Sequence, residues 1–302
     1  MARKYARVIL GILLIGGLVA VQDTAGSSQS SKSPSSHRHS ISKDIHQPQQ
    51  LVLRSSCALV EDQQTGEFLV QKNTKAVVPI ASITKLMTAM VVLDARMDLQ
   101  ELLVIEREDM DTLRHSHSRL PVGTHVSRQE ALLLALMASE NRAANALSRT
   151  YPGGRDAFVA DMNAKAQSLG LTETYFTDPA GLSGGNVSSA YDLVRMAGHA
   201  YNYPLIREFT TREEATIQSG RRKLAFRNTN QLIRSSRWQI GLSKTGFIEE
   251  AGRCLVMQAH VAQRPVLIVL LDAQGKLTRF GDANRIRQWM EGPPPSRKIR
   301  KS

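Results

Sequence analysis

"SSCALVEDQQTGEFLVQKN", Ser55 to Asn73, alternates apolar and polar residues on either side of a glycine-bearing turn. That pattern is a β-hairpin, predicted over Cys57 to Lys72. A two-stranded hairpin is marginal in water and needs further strands. Comparable stretches return only after Gly220, as "IGLSKTGFI", "RCLVMQAHVA" and "PVLIVLLDA". Strands from both parts of the chain therefore have to share one antiparallel sheet, with the intervening sequence packed against it. That interval, Asp98 to about Thr216, is mainly helical in pattern. "RQEALLLALMASENRAANALSR" reads as one helix, and "YPGGRDAFVADMNAKAQSLG" as a second that stops at Gly170. "SSAYDLVRMAGHAY" reads as a third, with Ser188 as its N-cap. A last helix, "TRFGDANRIRQWM", precedes a basic, Pro-rich tail. The expected class is α/β of the α+β kind: an antiparallel sheet flanked by helices, with a helical subdomain inserted at about 98–216.

Working outward, the chain has 302 residues, 42% hydrophobic and 22% charged, enough for one domain with a sizeable core. "MARKYAR" is a basic start and "VILGILLIGGLVAV", Val8 to Val21, a short apolar run. Together they read as a secretory signal peptide over 1–25. The run is shorter than the roughly 20 apolar residues of a membrane span, although an uncleaved anchor is the alternative. No cysteine follows it, so nothing indicates a lipoprotein. Residues 26–50, rich in Ser, His and Gln, read as a disordered tether. The folded domain is expected over 51–290 and a basic tail over 291–302. The net charge of +12 suits an anionic partner: nucleic acid, anionic lipid or an acidic wall polymer. With 5% aromatics and no basic helix interleaved with stacking residues, the composition points away from nucleic acid. Two cysteines, Cys57 and Cys254, make no disulfide framework and read as buried thiols. The eight histidines lie mostly in the tether and in the loop from Arg114 to His125, which reads as a flexible rim, and lack metal-ligand spacing.

The chemistry begins in "VVPIASITKLMTAMVVLDA", Val77 to Ala95, where Lys85 is the one charge between Lys75 and Asp94. The helix starting at about Ser82 is apolar on nearly every side, hence buried. Ser82 and Lys85, three apart, are neighbours on its surface. Desolvation and the positive end of the helix dipole both lower a lysine pKa. A lysine so lowered beside a hydroxyl is a base beside a nucleophile. The plainer alternative, a lysine reaching for water and a capping serine, fits this stretch equally well. Two further triplets bear on the choice: Ser139-Glu140-Asn141 in the helical region and Lys244-Thr245-Gly246 where strands resume. Singly, these are helix-cap residues, an exposed strand lysine and a bulge.

Together and in this order, S-x-x-K, S-x-N and K-T-G resemble the signature of the penicillin-recognising serine enzymes. The resemblance spans roughly Leu51 to Met290. Its texture is similar to the low-molecular-weight penicillin-binding proteins, in the D-alanyl-D-alanine endopeptidase branch, through "LLLALMASENRAANAL", "FTDPAGLSGGNVSSAYDLVRMA" and "KTGFIEEAGRCLVM". Many related carboxypeptidases have S-G-N in the middle triplet, and a further β domain with an amphipathic membrane helix. The chain ends soon after Met290, so peripheral or no membrane contact is expected. The resemblance implies a β-lactamase/transpeptidase-like fold with a five-stranded antiparallel sheet, and no cofactor or metal. It implies that Ser82 attacks the penultimate D-alanine carbonyl of a peptidoglycan cross-link and Lys85 takes its proton. Ser139 would relay a proton to the leaving amine, held by Lys85 and Lys244. Asn141 would bind Lys85 and the substrate amide. Lys244 would hold Ser139 and lower the pKa of Lys85; Thr245 would meet a substrate carboxylate. Gly246 would admit the substrate backbone. The N–H groups of Ser82 and Phe247 would form the oxyanion hole. Arg253 would either meet a carboxylate near the site or be an ordinary edge charge.

The expected function is thus a periplasmic serine DD-endopeptidase acting on D-alanyl-diaminopimelate cross-links and binding β-lactam antibiotics. The alternatives are a DD-carboxypeptidase, a β-lactamase and a non-catalytic wall-binding module. A class A β-lactamase needs a Glu to activate the deacylating water, and "TYFTDPAGL" offers Asp178 before Pro179 with no evident equivalent.

Overall fold

The computed structural model describes residues 51–292. The signal-peptide, tether and basic-tail readings lie outside them. Strands β1 (Ser55–Asp62) and β2 (Phe68–Lys72) form the expected hairpin. A short β3 (Val78–Pro79) leads into a 3-10 turn, Ala81–Thr84, and then α1 (Lys85–Asp94). Next come β4 (Leu102–Val104), β5 (His125–Ser127), α2 (Arg128–Met137), α3 (Asn141–Arg149) and α4 (Gly154–Ser168). A short β6 (Val187–Ser188), α5 (Ala190–Tyr201) and α6 (Pro204–Thr211) follow. The chain continues with β7 (Glu214–Ser219), β8 (Arg222–Arg227), β9 (Gln239–Ile248), β10 (Gly252–Val261), β11 (Arg264–Ala273) and α7 (Thr278–Glu291).

One antiparallel sheet of five strands runs in the order β2-β1-β11-β10-β9. Strands from the two parts of the chain meet where β1 pairs with β11, Leu59 opposite Val269. The central strands are apolar on both faces because both are covered. Leu59, Val256, Val269 and Leu271 join the core shared with the helices that precede β7. Val60, Met257, Ile268 and Leu270 face Phe280, Ala283 and Ile286 of α7. Helix α1 lies inside the first core, with every residue from Lys85 to Val92 buried. At about 1.5–3 kcal/mol for each large apolar side chain buried, Leu86, Met87, Met90, Val91 and Val92 hold it firmly. That packing fixes the backbone that carries Lys85.

Four local readings are corrected. The opening helix begins as a 3-10 turn carrying Ser82, and α1 proper starts at Lys85. The long helix over 128–149 breaks at Ala138–Glu140, where Ser139 has φ 59°. Helix α5 is capped by Ser189, which accepts from the Asp192 N–H; Ser188 belongs to β6. The pairing of β7 with β8 adds a hairpin ahead of the C-terminal strands. The stop at Gly170, φ 67°, is as expected.

Cys57 and Cys254 are free and buried. They sit on β1 and β10 with β11 between them, so their backbones are about 10 Å apart. A disulfide tolerates no more than about 7 Å, so the two thiols stay separate.

Candidate active site

The three triplets converge where the edge strand β9 passes the 3-10 turn. Lys85 Nζ lies 2.9 Å from Ser82 Oγ, 2.8 Å from Asn141 Oδ1 and 2.6 Å from the Ala180 carbonyl oxygen. Lys244 Nζ lies 2.9 Å from Ser139 Oγ and 3.0 Å from the Thr245 carbonyl. Both lysine side chains are buried, whereas Ser82, Ser139 and Asn141 are only partly so. Neither lysine is the surface residue that the plainer readings required.

Burial brings the Lys85 pKa down to about 8, against a smaller upward pull from Asp178, Glu140 and Asp111. Burial likewise holds Lys244 well below its ordinary value, helped by repulsion from Lys85 and Arg279. Two expectations are corrected here. Lys85 makes no hydrogen bond to Ser139, which is held by Lys244. Desolvation lowers the Lys85 pKa, as expected, but without a contribution from Lys244.

The geometry around Lys85 fits both of its protonation states. As an ammonium it has three protons and three oxygen acceptors. The Ser82 hydroxyl then donates to the Ala180 carbonyl at 3.3 Å. As a neutral amine, Lys85 can donate to Asn141 and Ala180 and turn its lone pair to Ser82, whose proton then points at Nζ. Loss of one proton converts a donor into a base without moving a heavy atom.

Two non-glycine residues flank the reacting atoms in left-handed backbone, Ala81 at φ 47° and Ser139 at φ 59°. Such a conformation costs about 1–2 kcal/mol per residue and persists only when the surroundings enforce it. Ser139 is enforced by its bond to Lys244 and by the start of α3, where Glu140 accepts from the Arg142 N–H. Around Ala81 the packing is closest at two glycines. A Cβ on Gly181 would fall 2.0 Å from the Ala81 carbonyl, and one on Gly246 would fall 2.7 Å from the Ile80 carbonyl. Gly246 is thus needed for strand-to-turn contact as well as for any substrate.

Several contributors carry no motif signal. Asp178 accepts from the N–H groups of Ala180, Gly181, Leu182 and Ser183, folding the loop that presents the Ala180 carbonyl. Asn186 ties that loop to Thr84 on the 3-10 turn. The loop read as a flexible rim is built in: Asp111 accepts from Leu113, Arg114 and Ser116 N–H groups, and Asn141 donates to Ser116 Oγ at 2.9 Å. Thr245 donates to Thr229 Oγ1 at 2.6 Å. Arg279 donates to the Gly246 carbonyl at 3.0 Å. Arg253 stacks over the half-exposed Phe247 ring at 4.2 Å and meets no carboxylate among the described residues. Among them, too, no group of three or more His, Cys, Asp or Glu is arranged to hold a metal.

Known proteins resemble this chain along most of its length. The profile of the peptidase S11 family, D-alanyl-D-alanine carboxypeptidase, matches residues 43–275. A D-alanyl-D-alanine endopeptidase of Pseudomonas aeruginosa is 51% identical over 246 residues, 81% of this chain and 79% of that protein. An Escherichia coli protein of the same name is 47% identical over 241 residues, 79% of this chain and 78% of its own. Among solved structures, the Streptomyces K15 DD-transpeptidase superposes with a TM-score of 0.74 at 27% identity, covering 79% of this chain and 97% of that one. A D-alanyl-D-alanine carboxypeptidase from Mycobacterium tuberculosis gives 0.72 at 28% identity, covering 81% and 94%. The chain belongs to the D-alanyl-D-alanine carboxypeptidase family of serine peptidases.

Proposed function

We propose that the chain is an exported serine DD-endopeptidase that opens D-alanyl-diaminopimelate cross-links of peptidoglycan. The observation that carries the chemistry is the buried Lys85 amine, 2.9 Å from Ser82 Oγ with a pKa lowered to about 8. Ser82 Oγ attacks the D-alanine carbonyl and passes its proton to neutral Lys85. The Ser82 and Phe247 N–H groups hold the oxyanion, a pair of donors each worth about 10²–10³ in rate. Collapse breaks the C–N bond. Ser139, held by Lys244, delivers a proton to the departing amine, and Thr245 receives the carboxylate beside that amine. Water then hydrolyses the ester, releasing the D-alanine carboxylate and restoring the Ser82 hydroxyl. Asn141 fixes the Lys85 amine and the substrate amide. The catalytic domain spans 51–290 and works in the periplasm after export by the 1–25 segment.

Endopeptidase activity is favoured by the relatives at 51% and 47% identity, both of which carry that name. The family description favours a second reading, a carboxypeptidase that removes terminal D-alanine. Digestion of purified cross-linked muropeptides separates them. Loss of dimers with terminal D-alanine retained is expected; loss of terminal D-alanine with dimers intact would support the second reading. A β-lactamase is disfavoured because Asp178, the carboxylate of the loop facing Ser82, is engaged by four backbone N–H groups. Penicillin acylation should therefore be long-lived.

A further inference from the structure

An endopeptidase differs from a carboxypeptidase in what leaves: here the departing amine belongs to a second wall peptide, which carries its own carboxylates. Thr245, which would receive the carboxylate beside that amine, is bonded to the base of the β7–β8 hairpin. That base runs through Asn228 into Thr229, whose hydroxyl receives the bond from Thr245 and whose N–H bonds the Met137 carbonyl, two residues before Ser139. The hairpin is fastened to the loop that supplies Ser116. Arg119 donates to the Ala225 carbonyl at 3.3 Å, and Thr124 and Ser219 share a hydroxyl bond at 2.8 Å. Its tip, Arg221-Arg222-Lys223, is exposed, and none of the three is in an ion pair among the described residues. The one pair on the hairpin, Glu214 with Arg227 at 3.7 Å, lies at its base. Arg119 adds a further exposed cation between tip and site. From Thr229 to Lys223 the strand runs about 20 Å, the length of an extended peptide of about six residues.

We propose that the β7–β8 hairpin is the docking surface for the acidic peptide on the amine side of the cross-link. The inference rests on the endopeptidase reading and names the partner of that same site. Cations at the rim of a binding surface act mainly by steering and weak pairing, so their effect is screened by salt.

The test compares the unaltered chain with Arg222→Glu/Lys223→Glu on three probes: a cross-linked muropeptide dimer, a fluorescent penicillin, and vesicles containing anionic lipid. Expected is a fall in kcat/KM for the dimer on the order of tenfold at low salt, shrinking as ionic strength rises. The penicillin acylation rate, which reports an intact fold and site, should be unchanged. Equal dimer cleavage by both proteins would overturn the inference, as would a parallel loss of acylation. Loss of vesicle binding with dimer cleavage intact would assign the tip to a membrane surface and also overturn it. If the unaltered chain takes up penicillin but leaves dimers closed, the endopeptidase reading falls and takes the inference with it. If it opens dimers and the variant does so equally fast, the inference falls alone.

Discussion

At the scale of single residues, the account turns on a lysine that must lose a proton before it can act. Only the neutral Lys85 amine has a lone pair for the Ser82 proton. With a pKa brought down to about 8 by burial, the neutral fraction falls tenfold for each pH unit below that value. The pre-steady-state acylation rate with penicillin should therefore climb about tenfold per unit from pH 6 to near 8 and then level off. A flat profile over that range, with chemistry shown to be limiting, would remove Lys85 from the role of base. The pair Ser82 and Lys85 was legible in sequence because a lone charge in an apolar helix is conspicuous. The Ala180 carbonyl was not, since a backbone oxygen leaves no mark on composition, and only folding brings it to 2.6 Å from Nζ.

At the scale of elements, the site is held by contacts too close for an added methyl group. Gly181 has φ 74° and faces the Ala81 carbonyl. Gly181→Ala should push the loop of residues 178–183 off the 3-10 turn, costing about 1–3 kcal/mol from backbone strain. Because Ala180 lies in that loop, acylation should slow as well. Gly184→Ala meets no atom within 4 Å and serves as the control. A thermal melt and an acylation assay read both effects; if Gly181→Ala matches Gly184→Ala in each, the loop does not position Lys85. The elements that sequence missed have physical reasons. Ala138, Ser139 and Glu140 are acceptable helix residues, and the break between α2 and α3 comes from a tertiary bond between Ser139 and Lys244. The β7–β8 hairpin did carry a signal: Ala215 and Ile217, with Leu224 and Phe226, alternate about Gly220. That alternation sits directly after helical sequence and among arginines, which masked it.

At the scale of the whole molecule, the sheet order places β11, the last strand in sequence, between β1 and β10. The need for one shared sheet was readable from the position of strand-like stretches; the order of strands was not, because antiparallel pairing permits several. That order keeps the thiols of Cys57 and Cys254 apart, and burial raises both, Cys254 to about 12. Native protein should leave both unreactive to a thiol reagent, and denatured protein should show two free thiols without reductant. A native disulfide between them would contradict the strand order.

The central claim is that three distant stretches assemble one acylating site with Ser82 as its nucleophile. Peptide mapping by mass spectrometry after incubation with penicillin tests this directly. The account predicts one adduct, on the peptide containing Ser82, absent from Ser82→Ala. An adduct on Ser139, or undiminished labelling of Ser82→Ala, would contradict it.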